Sequence, residues 1–188
     1  MLKAHPPSMA TKYFEREFAT YAVKILPGEY FATSDATAIT TLLGSCVSVC
    51  LYDKEKGVGG MNHFMLPKIF LKTNATRCTL SHSSPCPNLC SARYGECAFK
   101  QLFVRLESLG ARRANLKAKL FGGGQVMAGV ADIGEKNAAF AFGYLEERNI
   151  PVVTSDVGDR YPRKVIFFPA TGQAFVKRLH KDHKGILS

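Results

Sequence analysis

The stretch Val47-Ser48-Val49-Cys50-Leu51-Tyr52 alternates aliphatic side chains with smaller or polar ones, and a period of two describes a strand with two unlike faces. Residues 53–57 are charged and contain a glycine, a turn signal. A second apolar run then carries His63 and stops at Pro67, a residue poorly suited to a central sheet position. The two runs read as a β-hairpin. Cys46 shares a face with Ser48 and Cys50, and a turn centred between Lys54 and Glu55 places Cys46 directly opposite His63. Such a pair has Cβ atoms about 4.5–5.5 Å apart, within reach of a thiol and an imidazole. A slip of one residue sends the two side chains to opposite faces.

The residues just before Cys46 suit chemistry at that thiol. Gly44 and Ser45 let a backbone approach a substrate and can aim amide N–H groups at a developing oxyanion. Thr40 lies six residues before Cys46. On a continuous strand it shares the cysteine's face and can hydrogen-bond the imidazole to fix its tautomer. The competing reading is packing, because cysteine is among the most buried residue types and a chance Cys-His pair is inert.

At 188 residues the chain is expected to form one domain with a substantial core. We divide it into an arm over residues 1–20, a domain over 21–180 and a basic tail over 181–188. The opening lacks a basic-then-apolar leader pattern, and no apolar run approaches the roughly 18–20 residues that span a bilayer. A cytoplasmic protein without membrane insertion is therefore expected, with its six cysteines as thiols. The formal charge of +10 suits an acidic partner. It does not indicate nucleic acid, because the cations are scattered and no nucleic-acid-binding signature is present.

Residues 21–25 and 30–32 are short strand-like runs around the turn Leu26-Pro27-Gly28-Glu29. From 68 to 91 periodicity gives way to a long loop holding Cys78, His82, Cys86 and Cys90, with Cys97 soon after. Cys86 with Cys90, and Cys78 with His82, have the spacing of a zinc ligand set; incidental thiols in a loop are the alternative. Residues 93–109 carry Tyr94, Ala98, Leu102, Leu106 and Leu109 on one helical stripe ending at Gly110. A strand over 116–121 runs into Gly122-Gly123-Gly124, read as close backbone packing beside the hairpin. The absence of a following Gly-Lys-Ser/Thr argues against a nucleotide loop. Asp132 and Glu135 have the form of a capping box opening a helix that runs to Asn149, before Pro151. Strands follow at 152–154, 164–168 and 173–179, the last two as a hairpin. The expected fold is an α/β (α+β) layered sandwich of mostly antiparallel or mixed sheets with two main helices.

Leu43-Gly44-Ser45-Cys46-Val47 and Gly60-Met61-Asn62-His63-Phe64-Met65-Leu66-Pro67 resemble the CheD family, the chemoreceptor glutamine deamidases of bacterial chemotaxis. Ala92-Arg93-Tyr94-Gly95, Ala118-Lys119-Leu120-Phe121-Gly122-Gly123, Ile133-Gly134-Glu135-Lys136-Asn137, Asn149-Ile150-Pro151, Asp156-Val157-Gly158 and Thr171-Gly172 extend the resemblance in the family's order. It implies a fold similar to the catalytic domain of the cytotoxic necrotizing factor toxins and hydrolysis of receptor glutamine side chains to glutamate and ammonia. By position it makes Cys46 the nucleophile, His63 the base and Thr40 the third member, with Thr41 the alternative, and it requires no cofactor. The implied partners are chemoreceptor cytoplasmic helical domains and a CheC-type phosphatase. A thiolate-imidazolium pair is the form expected to attack an amide. Two other classes stay open: a regulatory partner of such a phosphatase without turnover, and a zinc or redox protein built on the loop from Cys78 to Cys97.

Overall fold

A computed structural model describes residues 11–68, 91–126 and 132–179. Cys78, His82, Cys86 and Cys90, and hence the candidate zinc set, lie outside them. The first sheet has the order β1-β2-β4-β9-β10, built from β1 (Thr11–Glu15), β2 (Thr20–Lys24), β4 (Ala38–Leu43), β9 (Arg163–Phe168) and β10 (Gln173–Arg178). The second has the order β3-β6-β5-β7-β8, from β3 (Tyr30–Thr33), β6 (Val58–Asn62), β5 (Val47–Asp53), β7 (Lys117–Gly122) and β8 (Val152–Val157). Pairing is antiparallel except for β2 with β4 and β7 with β8. With α1 (Gly95–Ser108) and α2 (Ile133–Glu146), this is the expected layered α+β sandwich of mixed sheets. Residues 11–18, assigned to the arm from sequence, supply edge strand β1 and a short 3-10 turn.

Period-two alternation divides the second sheet between two cores. Val47, Val49 and Leu51 face the helices and pack with Phe99, Leu102, Leu106, Ala141 and Leu145. Cys50 and Tyr52 face the other way and pack with Ile39, Leu43, Val165 and Phe167 of the first sheet. Of the helical stripe read from sequence, Ala98, Leu102 and Leu106 are buried as expected. Helix α1 gives way at Leu109 and Gly110, the latter in the left-handed region at φ 94°.

Three local expectations need correction. The hairpin turn is centred one residue later than expected: β5 pairs with β6 as Asp53↔Val58 through Cys50↔Met61, and the bridge Val47↔Phe64 continues that register. The reason lies in the turn. Oδ1 of buried Asp53 accepts from the amides of Glu55 (3.0 Å) and Lys56 (3.2 Å), and Gly57 takes φ 63°, so the loop needs all four residues 54–57. His63 therefore falls across from Ser48, and Cys46 sits just before the strand begins. At α2 the helix starts where expected, but Asp132 is left-handed (φ 78°) and its side chain makes no capping bond, so the capping box is not formed. Among the described cysteines, Cys46 and Cys50 are free, whereas Cys97 is disulfide-bonded, against the expectation of thiols throughout.

Candidate active site

A fourth correction concerns the site itself. Thr40 and Cys46 would share a face only on one continuous strand, and the chain is not continuous there. Strand β4 ends at Leu43 in one sheet, residues 44–46 cross the sandwich, and β5 begins at Val47 in the other. Residues Ile39 and Leu43 of β4 point into the space between the sheets, and Thr41 has their parity. Thr40 has the parity of Ala38, which packs on the outer face of the first sheet. It is accordingly Thr41, the alternative weighed from sequence, whose Oγ1 lies 2.8 Å from Nδ1 of His63.

That contact fixes the imidazole's protonation pattern. The Thr41 hydroxyl donates its one hydrogen to the carbonyl of Ile25 at 2.8 Å. It is left to accept at Nδ1, so Nδ1 carries the proton and Nε2 presents a lone pair. Nε2 is buried and has no hydrogen-bond partner among the described residues. Burial lowers the imidazole from an ordinary 6.5 to about 4, which keeps it neutral.

The backbone around His63 is held on both sides. Its amide donates to Glu29 O (2.9 Å), and its carbonyl accepts from Gly28 N (2.7 Å), so the turn read at residues 26–29 serves as a bracket. Phe64, fully buried, exchanges both backbone bonds with Val47 (3.0 and 3.1 Å). Its ring packs against Phe99 and Phe140 at centroid distances of 6.2 and 6.0 Å. Burying such a ring contributes about 1.5–3 kcal/mol.

Cys46 is half-buried and packs at the margin of the inter-sheet core. Burial pushes its thiol up, and its own backbone N–H partly offsets this. Cys50, on the same face, is sealed and pushed up much further. Of these two thiols, only Cys46 can meet a substrate.

The loop carrying Cys46 is tied down at three successive carbonyls. Gly44 O accepts from Gly124 N (2.8 Å), Ser45 O from the Asn137 side chain (3.2 Å) and Cys46 O from Gly123 N (2.8 Å). The triple glycine does pack against the hairpin as expected. A Cβ on Gly122, at φ 107°, would collide with Cys46 O. With these carbonyls turned into the protein, the amides of Ser45 and Cys46 donate to no other described residue, that of Cys46 meeting only its own thiol. Asn137 and Arg163 were not read as site residues. The available signal for Asn137 was a polar side chain one position from Ala138, on the helix face that also buries Ala141.

Comparison with known proteins gives a consistent result. The family described as CheD chemotactic sensory transduction matches residues 79–178. The chain is 50% identical over 177 residues to the probable chemoreceptor glutamine deamidase CheD of Methylobacillus flagellatus, covering 93% of this chain and 82% of that protein. It is 48% identical over 180 residues to a probable chemoreceptor glutamine deamidase CheD 1 of Shewanella oneidensis, covering 94% and 81%. Identity to a probable chemoreceptor glutamine deamidase CheD 1 of Dechloromonas aromatica is 43% over 190 residues, covering 100% and 88%.

Proposed function

The chain belongs to the CheD family, and from that premise we propose that it is a chemoreceptor glutamine deamidase in which Cys46 is the nucleophile, His63 the base and Thr41 the residue that orients the base. The observation that carries the reading is the neutral His63 imidazole, anchored at Nδ1 by Thr41 and left with an unpartnered Nε2 lone pair. Such an atom needs a proton to take, and the accessible thiol on the neighbouring loop supplies one.

Burial drives the thiol and the imidazole toward their neutral forms. The electrostatics therefore favour a resting thiol and imidazole over the ion pair expected from sequence. Cys46 Sγ forms its bond to the glutamine carboxamide carbon as its proton passes to His63 Nε2. The carbonyl oxygen becomes an oxyanion, for which the amides of Ser45 and Cys46, with Gly44 allowing close approach, are the candidate donors. Collapse breaks the C–N bond, and the imidazolium returns its proton to the departing nitrogen, releasing ammonia. Water then gives a proton to Nε2 while its oxygen bonds the thioester carbon. The C–S bond breaks, Sγ recovers the proton and the product is glutamate. No metal or organic cofactor enters these steps.

The substrates proposed are glutamines on the cytoplasmic helical domains of chemoreceptors, which places the reaction in the cytoplasm. No helix among the described residues is long and apolar enough to cross a membrane. The formal charge of +10 suits an acidic helical substrate. A CheC-type phosphatase remains a proposed partner on family membership alone.

The test is intact-mass analysis and peptide mapping of a receptor cytoplasmic fragment incubated with wild-type protein and with Cys46→Ser. A gain of about 1 Da per modified glutamine, the exchange of NH2 for OH, is expected with wild type only. No gain with wild type on a receptor from the same organism, or an equal gain with Cys46→Ser, overturns the reading.

A further inference from the structure

Building on the deamidase reading, we infer that Asn137 is a positioning residue that sets Cys46 against His63 by clamping the loop before the nucleophile to the segment after the base. Its Nδ2 donates both hydrogens, one to Ser45 O at 3.2 Å and one to Met65 O at 2.8 Å. Ser45 immediately precedes Cys46, and Met65 lies two residues beyond His63. The pairing of β5 with the His63 segment reaches its last bridge at Val47↔Phe64. One step further, where Cys46 and Met65 would be opposed, the backbone ladder has stopped. The Asn137 carboxamide supplies the missing rung at that step.

The other ties on this loop run elsewhere. Gly44 O and Cys46 O are held by the glycine strip after β7. Among the described residues, Asn137 is the side chain that joins the loop to the His63 side. The clamp is rigid because Asn137 sits one turn into α2, whose Gly134 packs so tightly on Gly123 that a Cβ there would strike its carbonyl.

The side chain also carries a cost that points beyond packing. Asn137 is fully buried, and its Oδ1 has no hydrogen-bond partner among the described residues. Where only packing is required, an apolar side chain avoids that unpaired acceptor. A two-carbonyl donor earns its place when the relation between those carbonyls matters, and a misplacement near 1 Å at a reacting pair can cost about a hundredfold in rate.

The full chain is tested as wild type, His63→Asn, Asn137→Ala, Asn137→Ser and Ile150→Val, the last as a core variant on the same side of the sheet. The primary measurement is the rate of Cys46 alkylation by iodoacetamide between pH 5 and 9, mapped by peptide mass. Deamidation kinetics and thermal midpoints accompany it. Asn137→Ala is expected to lose about tenfold or more in alkylation rate, approaching His63→Asn, and to lose kcat in step while KM stays within about twofold. Asn137→Ser, which keeps one donor, is expected to fall between, and Ile150→Val to react as wild type despite its lower midpoint. A folded Asn137→Ala with wild-type alkylation and kcat overturns the inference; if that variant does not fold, a wild-type rate in Asn137→Ser overturns it equally. Equal alkylation of wild type and His63→Asn removes the coupled pair, and with it both the base role of His63 and this inference. That result is distinct from a failure of Asn137 alone.

Discussion

Thr40 and Thr41 are adjacent, both buried and chemically identical, yet strand parity sends them to opposite faces of β4. Thr41→Val removes the acceptor at His63 Nδ1 and the donor to Ile25 O while conserving shape. It is expected to lower kcat about 10- to 100-fold with little change in KM, and to destabilise the fold by about 1–3 kcal/mol through the groups left unpaired. Thr40→Val is expected to retain activity within about threefold, and steady-state deamidation assays of the two variants distinguish the roles. His63 adds a pH signature. Its folded value near 4 lies below the ordinary 6.5, so the unfolded chain binds more protons between them. The resulting stability, about 3 kcal/mol, is fully present above pH 6.5 and is lost as pH falls toward 4. Urea unfolding of wild type and His63→Asn across that interval should show the wild type losing the larger share. The same low value keeps the imidazole neutral, so no acid limb attributable to His63 is expected near pH 6.5 in the kcat profile.

At the scale of elements, two left-handed glycines in the hairpin region separate conformational cost from active-site cost. Gly57, at φ 63°, has open space where a Cβ would stand, so Gly57→Ala should cost about 1–2 kcal/mol in backbone strain and leave turnover intact. Gly122, at φ 107°, would drive a Cβ into Cys46 O. Gly122→Ala should cost at least as much stability and also displace the loop that carries Cys46, with activity reduced tenfold or more. Chemical denaturation beside turnover measurements on the two variants checks this contrast. Both glycines lie in blocks noticed in the sequence. What the sequence did not convey is that the strip after β7 carries the donors for Gly44 O and Cys46 O.

At the scale of the whole molecule, Arg163 pins the two sheets together at the end that holds the site. It begins β9 in the first sheet, is fully buried, and reaches into the second. Its Nε donates to Asp156 at 2.6 Å, Nη1 to Gly122 O at 3.1 Å and Nη2 to Gly158 O at 2.6 Å. Burial opposes ionisation of Asp156, but hydrogen bonds from Arg163 and Arg178 outweigh it and hold the carboxyl below its usual range. The corresponding stability is present above pH 3.8 and is lost as pH falls further. Arg163→Met removes the buried cation from its pair with partly exposed Asp156, which keeps Arg178, and leaves the Gly122 and Gly158 carbonyls without this donor. It should cost about 3–5 kcal/mol, measured by urea unfolding at neutral pH.

Sequence alone marked most of the elements and pointed to the two principal candidate residues. Alternation marked β5, a 3.6-residue stripe marked α1, and Gly110 marked its end, because these signals are local and repeat along the chain. Family blocks pointed to Cys46 and His63 as candidates. Tertiary structure decided which threonine meets the imidazole, where the hairpin turns, and that Asn137 and Arg163 brace the site. The choice of threonine depends on the crossing at residues 44–46, which moves the chain from one sheet to the other, and the turn on the Asp53 side chain that holds the loop amides. Face parity holds only along one unbroken strand, so it fails at that crossing. The two buried side chains act on carbonyls 92 and 41 residues away, at Ser45 and Gly122, beyond the reach of any local periodicity.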